Sequence, residues 1–232
     1  MAWETRTKLA IGTLDAVLKA YKKKSINIDH PNNKGETPLH VAAKIGFNTF
    51  AEKLIEKGAL ITAKDNTNET PLHKAVEYPS TVNSLLRIRK QDIKSIINLQ
   101  NKDGDTALHK ASRMGQHLSV NHLIKQDGID TKICNNDGKT ALHVTVNDTV
   151  AAKLVTKDNE LLRLPDKNGD TVFHIAAKDG KNEVIEKLIV YMNDTKYMTK
   201  EDRNNLLNKS FNQKKRTPLL VAMMKKHDDI IR

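Results

Sequence analysis

The chain has 232 residues, of which 38% are hydrophobic and 29% charged, and its formal net charge is +11 at pH 7. No run of about 18 apolar residues occurs, so the sequence predicts no membrane-spanning helix. Cys134 is the only cysteine, which excludes an intrachain disulfide and favours a cytoplasmic location. We expect this cysteine to fill space in the core of a connecting segment.

A short motif recurs along the chain at nearly constant spacing. It reads TPLH at 37–40 and 70–73, TALH at 106–109 and 140–143, TVFH at 171–174, and TPLL at 217–220. The intervals between the threonines are 33, 36, 34, 31 and 46 residues. This period and a T-P-L-H-x-A core resemble ankyrin repeats over most of the chain. The resemblance implies an all-α ankyrin-repeat solenoid of stacked helix-turn-helix units with short finger turns.

The segment before the first motif, residues 1–29, has the pattern of a degenerate N-terminal capping repeat. Gly12, Val17 and Ala20 stand at the offsets that Gly46, Ala51 and Leu54 take in the first full repeat. Its polar residues suit the end of an array, which must meet solvent.

The first full repeat shows how the residues dictate two helices. Thr37 can cap a helix, and Pro38 fits the first turn, where its missing N–H costs nothing. Gly46 ends this helix. A second helix is predicted through residues 50–55 and ends at Gly58.

Residues 30–189 are predicted to hold five such repeats, two of which depart from the pattern. Repeats two and four lack the glycine between their helices, and their second helices arrive two to three residues early. We therefore expect tighter loops there. After Leu86 the connector is longer, and we expect the second helix of repeat two to run on.

Residues 190–216 form a predicted insertion with a short extra helix near residues 200–208. Thr199 and Asp202 have the spacing of a capping box at its start. Residues 217–232 begin a sixth, truncated repeat. The chain stops before the expected leucine pair, so we expect either a longer native protein or a frayed last unit.

The repeated histidines invite a metal-binding interpretation. Stacked repeats are separated by roughly 8–10 Å, whereas zinc–nitrogen bonds are about 2.0–2.1 Å. The resemblance instead implies that each histidine and its threonine bond the turns together. We expect neither a metal nor another cofactor to be held by His40, His73, His109, His143 and His174.

The sequence contains no catalytic constellation. Metal-binding, phosphate-cradling and nucleophile-elbow motifs are absent, and no base is positioned to activate Cys134. We therefore expect a protein that is not an enzyme.

Basic strings stand at residues 22–24, 87–90, 214–216 and 225–226. They could bind phosphate groups, but no aromatic residues accompany them for base stacking. A solvated surface is the better interpretation, and we expect neither a nucleic acid nor a membrane as the partner.

The resemblance implies that a partner binds the finger turns and the concave face of the first helices. Eight residues after the repeat threonine, repeats one to three carry Ile45, Tyr78 and Met114, preceded by Lys44, Glu77 and Arg113. An apolar stripe with a charged rim is typical of a protein-binding surface. The alternative is that these three apolar residues tuck against neighbouring loops. We expect the polar rim on the turns to comprise Lys34, Glu36, Glu69, Lys102, Asp105, Lys139 and Asp170.

The sequence thus predicts a monomeric protein-interaction module. Lysine outnumbers arginine by 31 to 8, and asparagine and isoleucine are abundant. Chains of this composition are similar to ankyrin effectors that intracellular bacteria deliver into host cells, which would place this one in the host cytosol. Two alternatives remain: the targeting arm of a larger enzyme beyond Arg232, and an electrostatic binder of nucleic acid or acidic lipid.

Overall fold

The computed structural model describes residues 27–88, 93–194 and 198–225. Every regular element in these ranges is helical, and no strand occurs among them. The chain divides into two compact units, one up to Lys90 and the other from Gln91 onward. Residues 1–26 of the predicted N-terminal capping repeat and the second helix of repeat six lie outside the described residues, and the predicted domain boundaries stay predictions.

The first unit contains two helical hairpins. Their helices are α1 (Pro38–Lys44), α2 (Asn48–Glu56), α3 (Pro71–Lys74, followed by a 3-10 turn at Ala75–Glu77) and α4 (Pro79–Ile88). The first helices of the two hairpins, α1 and α3, pack on each other, and so do the second helices, α2 and α4. The repeats therefore stack in register within this unit.

The second unit continues the pattern with more helices. They are α5 (Ile93–Ile96), α6 (Ala107–Arg113), α7 (His117–Ile124), α8 (Asp148–Lys157), α9 (Val172–Asp179), α10 (Asn182–Asn193), α11 (Lys200–Asn204) and α12 (Pro218–Lys225). Here α7 packs on α8, α8 on α10, and α9 on α12.

Small and aliphatic side chains fill the space between the stacked hairpins. Leu39, Ala42 and Ala43 of α1 are buried, as are Leu54 and Ile55 of α2. Alanine on the first helices lets neighbouring helices approach closely, and the leucine–isoleucine pair adds apolar area that burial removes from water. The pattern read from the sequence is thus the core of each repeat.

The tight loops predicted for repeats two and four are confirmed. In repeat two, a single residue, Tyr78, separates the 3-10 turn from α4. In repeat four, residues 141–144 form only turns, and α8 begins at Asp148. Helix α4 is described as far as Ile88, and its expected continuation through residues 89–92 lies outside the described residues.

The insertion after repeat five contains the predicted helix. Helix α11 begins after Thr199, whose hydroxyl accepts a hydrogen bond from the Asp202 N–H at 3.1 Å while the Asp202 carboxylate accepts from the Thr199 N–H at 3.2 Å. A π-helical turn at Asn205–Lys209 follows. The capping box read from the sequence is confirmed.

Candidate protein-binding surface

Each finger turn is held by an asparagine or aspartate that stands five residues before the repeat threonine. The Asn32 Oδ1 accepts hydrogen bonds from the N–H groups of Lys34, at 2.9 Å, and Glu36, at 3.0 Å. The same arrangement recurs at Asp65, Asn101, Asn135, Asp166 and Asn212. These side chains give the turns a fixed geometry. They were not predicted, although their constant spacing is visible in the sequence.

The repeat histidines join one finger turn to the next. The His40 Nδ1 accepts from the Thr37 N–H at 3.1 Å, so the proton of the neutral ring sits on Nε2, which donates to the Glu69 carbonyl at 2.9 Å. His109 and His174 donate in the same way to the carbonyls of Lys139 and Arg216. Burial lowers the pKa of His40 and of His109. The structural role expected for these three histidines is confirmed.

Glu36, which was expected in the exposed rim, is instead buried. Its side chain accepts a hydrogen bond from the Asn32 Nδ2 at 3.1 Å and pairs with Lys44 at 3.3 Å. The hydrogen bond from Asn32, helped by Lys44, lowers the pKa of Glu36. A partner cannot reach this carboxylate as it would reach a rim residue, so that expectation is wrong.

Asp105 occupies the same position in repeat three and is also buried, at 1% exposure. Arg113 forms an ion pair with it, and the Asn135 Nδ2 donates to its Oδ1 at 2.8 Å. Burial alone raises the pKa of Asp105, but the hydrogen bonds from Arg113 and Asn135 hold that pKa below its usual value. Asp105 positions Arg113 and is not part of an exposed rim.

Lys74 gathers three carboxylates inside the first unit. Its Nζ lies 2.6 Å from Glu69, 2.7 Å from Asp65 and 3.8 Å from Glu36. The Glu69 side chain is only 12% exposed, so its expected place in the rim is also wrong. No sequence motif indicated this cluster, because its members come from two turns and a helix.

Two rim residues are exposed and two are partly covered. Lys34 and Lys102 are exposed, whereas Lys139 and Asp170 are half-buried. The Asn212 Nδ2 donates to the Asp170 Oδ1 at 2.6 Å. The exposed part of the rim is therefore basic.

The three apolar residues singled out in the sequence reach solvent. Ile45 is 58% exposed, Met114 42% and Tyr78 39%. A β-carbon on Gly46 would collide with the Tyr78 ring, so this ring lies directly on the Gly46 backbone beside Ile45. Tyr78 thus packs against the neighbouring loop on one side and presents its other side to solvent.

The second unit carries a similar pair, of which only Met114 was predicted. Val146, 53% exposed, lies beside the Gly115 backbone next to Met114. It stands six residues after its repeat threonine, not eight, because the loop of repeat four is shortened. Exposed charged residues flank both pairs: Lys44, Glu77 and Arg113.

Cys134, expected to be buried, is exposed. Partial desolvation, together with the nearby charge of Asp130, raises the pKa of its thiol. A raised pKa leaves less of the reactive thiolate at neutral pH, and the thiol donates a hydrogen bond to the Lys132 carbonyl at 3.5 Å.

No group of three histidine, cysteine or carboxylate side chains among the described residues is arranged to hold a metal ion. No helix in the same part of the chain is both long and apolar enough to cross a lipid bilayer.

Two of the curated relatives are much longer than this chain. It is 30% identical over 172 residues to the human transient receptor potential cation channel subfamily A member 1 and 27% identical over 160 residues to human Rabankyrin-5. The alignments cover 70% and 67% of this chain but only 15% and 14% of those proteins. A shorter relative, the probable 26S proteasome regulatory subunit p28 of Saccharomyces cerevisiae, is 30% identical over 142 residues, 61% of each chain.

Solved structures share the fold. The ankyrin repeat domain of Bcl-3, a member of the IkappaB family, superposes with a TM-score of 0.75 at 23% identity and covers 95% of this chain and 94% of its own. The ankyrin repeat protein EF0377 superposes with a TM-score of 0.65 at 22% identity over 76% of this chain and 91% of its own. Residues 9–96 and 77–161 match the family model for ankyrin repeats in three copies. Ankyrin repeats generally serve as non-catalytic scaffolds for protein–protein contacts, and the chain belongs to this family.

Proposed function

We propose that the chain, as a monomer, binds another protein through two apolar pairs, Ile45 with Tyr78 in the first unit and Met114 with Val146 in the second. The observation that carries the proposal is that both units expose large apolar side chains at the same place, where the first helix turns into the second. Exposed apolar side chains on a rigid support lose water on binding at little cost in conformational entropy.

The charges beside these pairs define the partner. The exposed basic residues Lys44 and Arg113 directly precede Ile45 and Met114 in the chain, and the exposed acidic residue Glu77 directly precedes Tyr78. We propose a partner segment with apolar side chains flanked by carboxylates. Opposite charges around an apolar contact speed association and reject wrong partners.

The test compares two double variants. Ile45→Asp with Met114→Asp places a charge in each pair, and Leu118→Asp with Val190→Asp makes the same change at exposed apolar positions of α7 and α10. Proteins captured by the wild-type chain are identified by mass spectrometry, and their affinities for both variants are measured. The first variant should weaken binding at least tenfold and the second less than twofold, with equal helical content by circular dichroism. Equal losses of affinity in the two variants would contradict the proposed binding surface.

The composition supports a narrower proposal on where the chain acts. The abundance of lysine, asparagine and isoleucine supports an effector of an intracellular bacterium that meets a host protein in the host cytosol. A fusion to a reporter enzyme that becomes active only in host cytosol tests this during infection. Reporter activity that is absent, or independent of the bacterial secretion apparatus, contradicts it.

A further inference from the structure

A groove lined by lysines runs along the second helices of the second unit, away from the first-helix turns that carry the proposed protein-binding pairs. Its volume is about 610 Å³, and it lies among α7, α8 and α10. Its four cationic side chains are Lys125, Lys153, Lys157 and Lys187, and none of the residues that line it is acidic.

A comparison within the chain shows why the groove is positive. Residues 51–57, at the end of α2 and including Lys57 just after it, read AEKLIEK, and residues 151–157 of α8 read AAKLVTK. The two lysines are retained, whereas Glu52 and Glu56 are replaced by Ala152 and Thr156. Alternation of acidic and basic residues is usual for a solvated helix face. Helix α8 therefore keeps its positive charges without the carboxylates that offset them in α2.

The same substitution places a small side chain at the groove. Ala152 lines it, and the corresponding residue of α10 in the sequence is Glu186. A methyl group in place of a longer side chain leaves room above the helix. Thr149 and Thr156 border this space and add hydroxyl groups.

The four lysines are available to a ligand. The ion pairs of the described residues in this unit involve other cations, and none joins a carboxylate to these four. Helix α10 does carry Glu183 and Glu186, which are exposed but do not line the groove. Four lysines therefore line one space, and no acidic residue lines it with them.

We infer that this groove binds a small anion that carries several phosphate groups. Lysine is a compact point charge that suits phosphate oxygens, and threonine hydroxyls can donate additional hydrogen bonds to them. Several phosphates on one ligand engage several lysines at once, which a single carboxylate cannot do. The site is independent of the proposed protein-binding function, because it uses the second helices.

Calorimetric titration with inorganic tripolyphosphate tests the site in the intact chain. Ala152→Glu with Thr156→Glu restores the α2 pattern and keeps every lysine. We expect at least a tenfold loss of affinity. Lys102→Gln with Lys167→Gln removes the same net charge from exposed finger positions, and we expect less than a twofold loss. Lys153→Gln with Lys157→Gln should reproduce the loss if the glutamate variant unfolds.

The source of the phosphates is settled by a second arm. Phosphatidylcholine vesicles with and without a phosphatidylinositol bisphosphate are compared with the soluble probe. If the chain binds both the phosphoinositide vesicles and tripolyphosphate, and the α8 variant binds neither, the ligand is a lipid headgroup. If it binds tripolyphosphate alone, the ligand is a free metabolite. No binding of either, equal losses in the α8 and finger variants, or equal affinity for hexaglutamate would overturn the inference.

Discussion

The ammonium group of Lys74 lies 2.7 Å from the Asp65 Oδ2, and the two side chains are only 14% and 4% exposed. Asp65 also holds its finger turn through the N–H groups of Thr67 and Glu69. A helix of the second repeat is thereby tied to the turn that precedes it. The pair joins packing to turn geometry, so its removal should affect both.

Replacing Lys74 by methionine should destabilise the first unit by about 3 kcal/mol. The substitution keeps the volume but leaves Asp65 and Glu69 buried without their cation, which is the costly way to break a buried ion pair. Lys44→Met is the matched control, because Lys44 also pairs with Glu36 but is 53% exposed. An exposed pair contributes less than about 1 kcal/mol. Urea unfolding followed by circular dichroism measures both, and equal midpoints would contradict the prediction.

Asp65 should also make the free energy of unfolding depend on pH in the acidic range. Burial favours a higher pKa, but hydrogen bonds from Lys74 and Thr67 hold the pKa of Asp65 far below its usual range. Between the two pKa values the unfolded chain binds a proton that the folded chain does not. The stabilisation is therefore complete above about pH 4 and is lost as pH falls below that value.

Asp65→Asn tests this linkage. The variant should be less stable than the wild type at pH 7 and should lose less stability between pH 5 and pH 3. Thermal unfolding at a series of pH values gives both slopes. Parallel curves for the two proteins would show that Asp65 does not titrate in this way.

Much of the fold could be predicted from the sequence because each repeat carries its own local signals. The Thr37 and Pro38 start and the Gly46 stop are contained in ten residues, and the structure places α1 between them. Local propensity and apolar periodicity suffice for such an element.

The candidate surface was harder to predict, because burial of the turn carboxylates depends on distant partners. Asp105 is covered with the help of Asn135, thirty residues away along the chain, and Glu36 lies near Lys74 of the next repeat. Turn residues are usually exposed, so the sequence favoured a rim. Val146 was missed because the shortened loop moved it by two positions.

Lys215→Gly should stabilise the last described finger turn. Lys215 has a φ of 55° at the position where Gly35 has 75°, and a β-carbon there costs roughly 1–2 kcal/mol. The greater backbone entropy of glycine in the unfolded chain offsets part of this strain. We therefore expect a net gain of about 0.5–1 kcal/mol in the free energy of unfolding. Hydrogen exchange of the α12 amides, including Val221, should slow.

The control for that change is the preceding residue. Lys214 is not among the described residues with positive φ. Lys214→Gly therefore relieves no strain and only raises the entropy of the unfolded chain, so hydrogen exchange of the α12 amides should become faster. Faster exchange in both variants would mean that Lys215 is not strained.

Two glycines with positive φ differ in how much space a β-carbon would find. Gly35 and Gly58 both have positive φ, 75° and 95°, but a β-carbon at Gly35 would lie 2.8 Å from the Asn66 backbone nitrogen, whereas none of the surrounding atoms comes within 4 Å at Gly58. Gly58→Ala should cost the conformational term of about 1–2 kcal/mol. Gly35→Ala should cost more, because it also pushes apart two finger turns joined by the Asn66 N–H and the Lys34 carbonyl at 3.0 Å. Urea midpoints rank the two variants, and an equal or smaller loss at Gly35 would mean that these turns can separate freely.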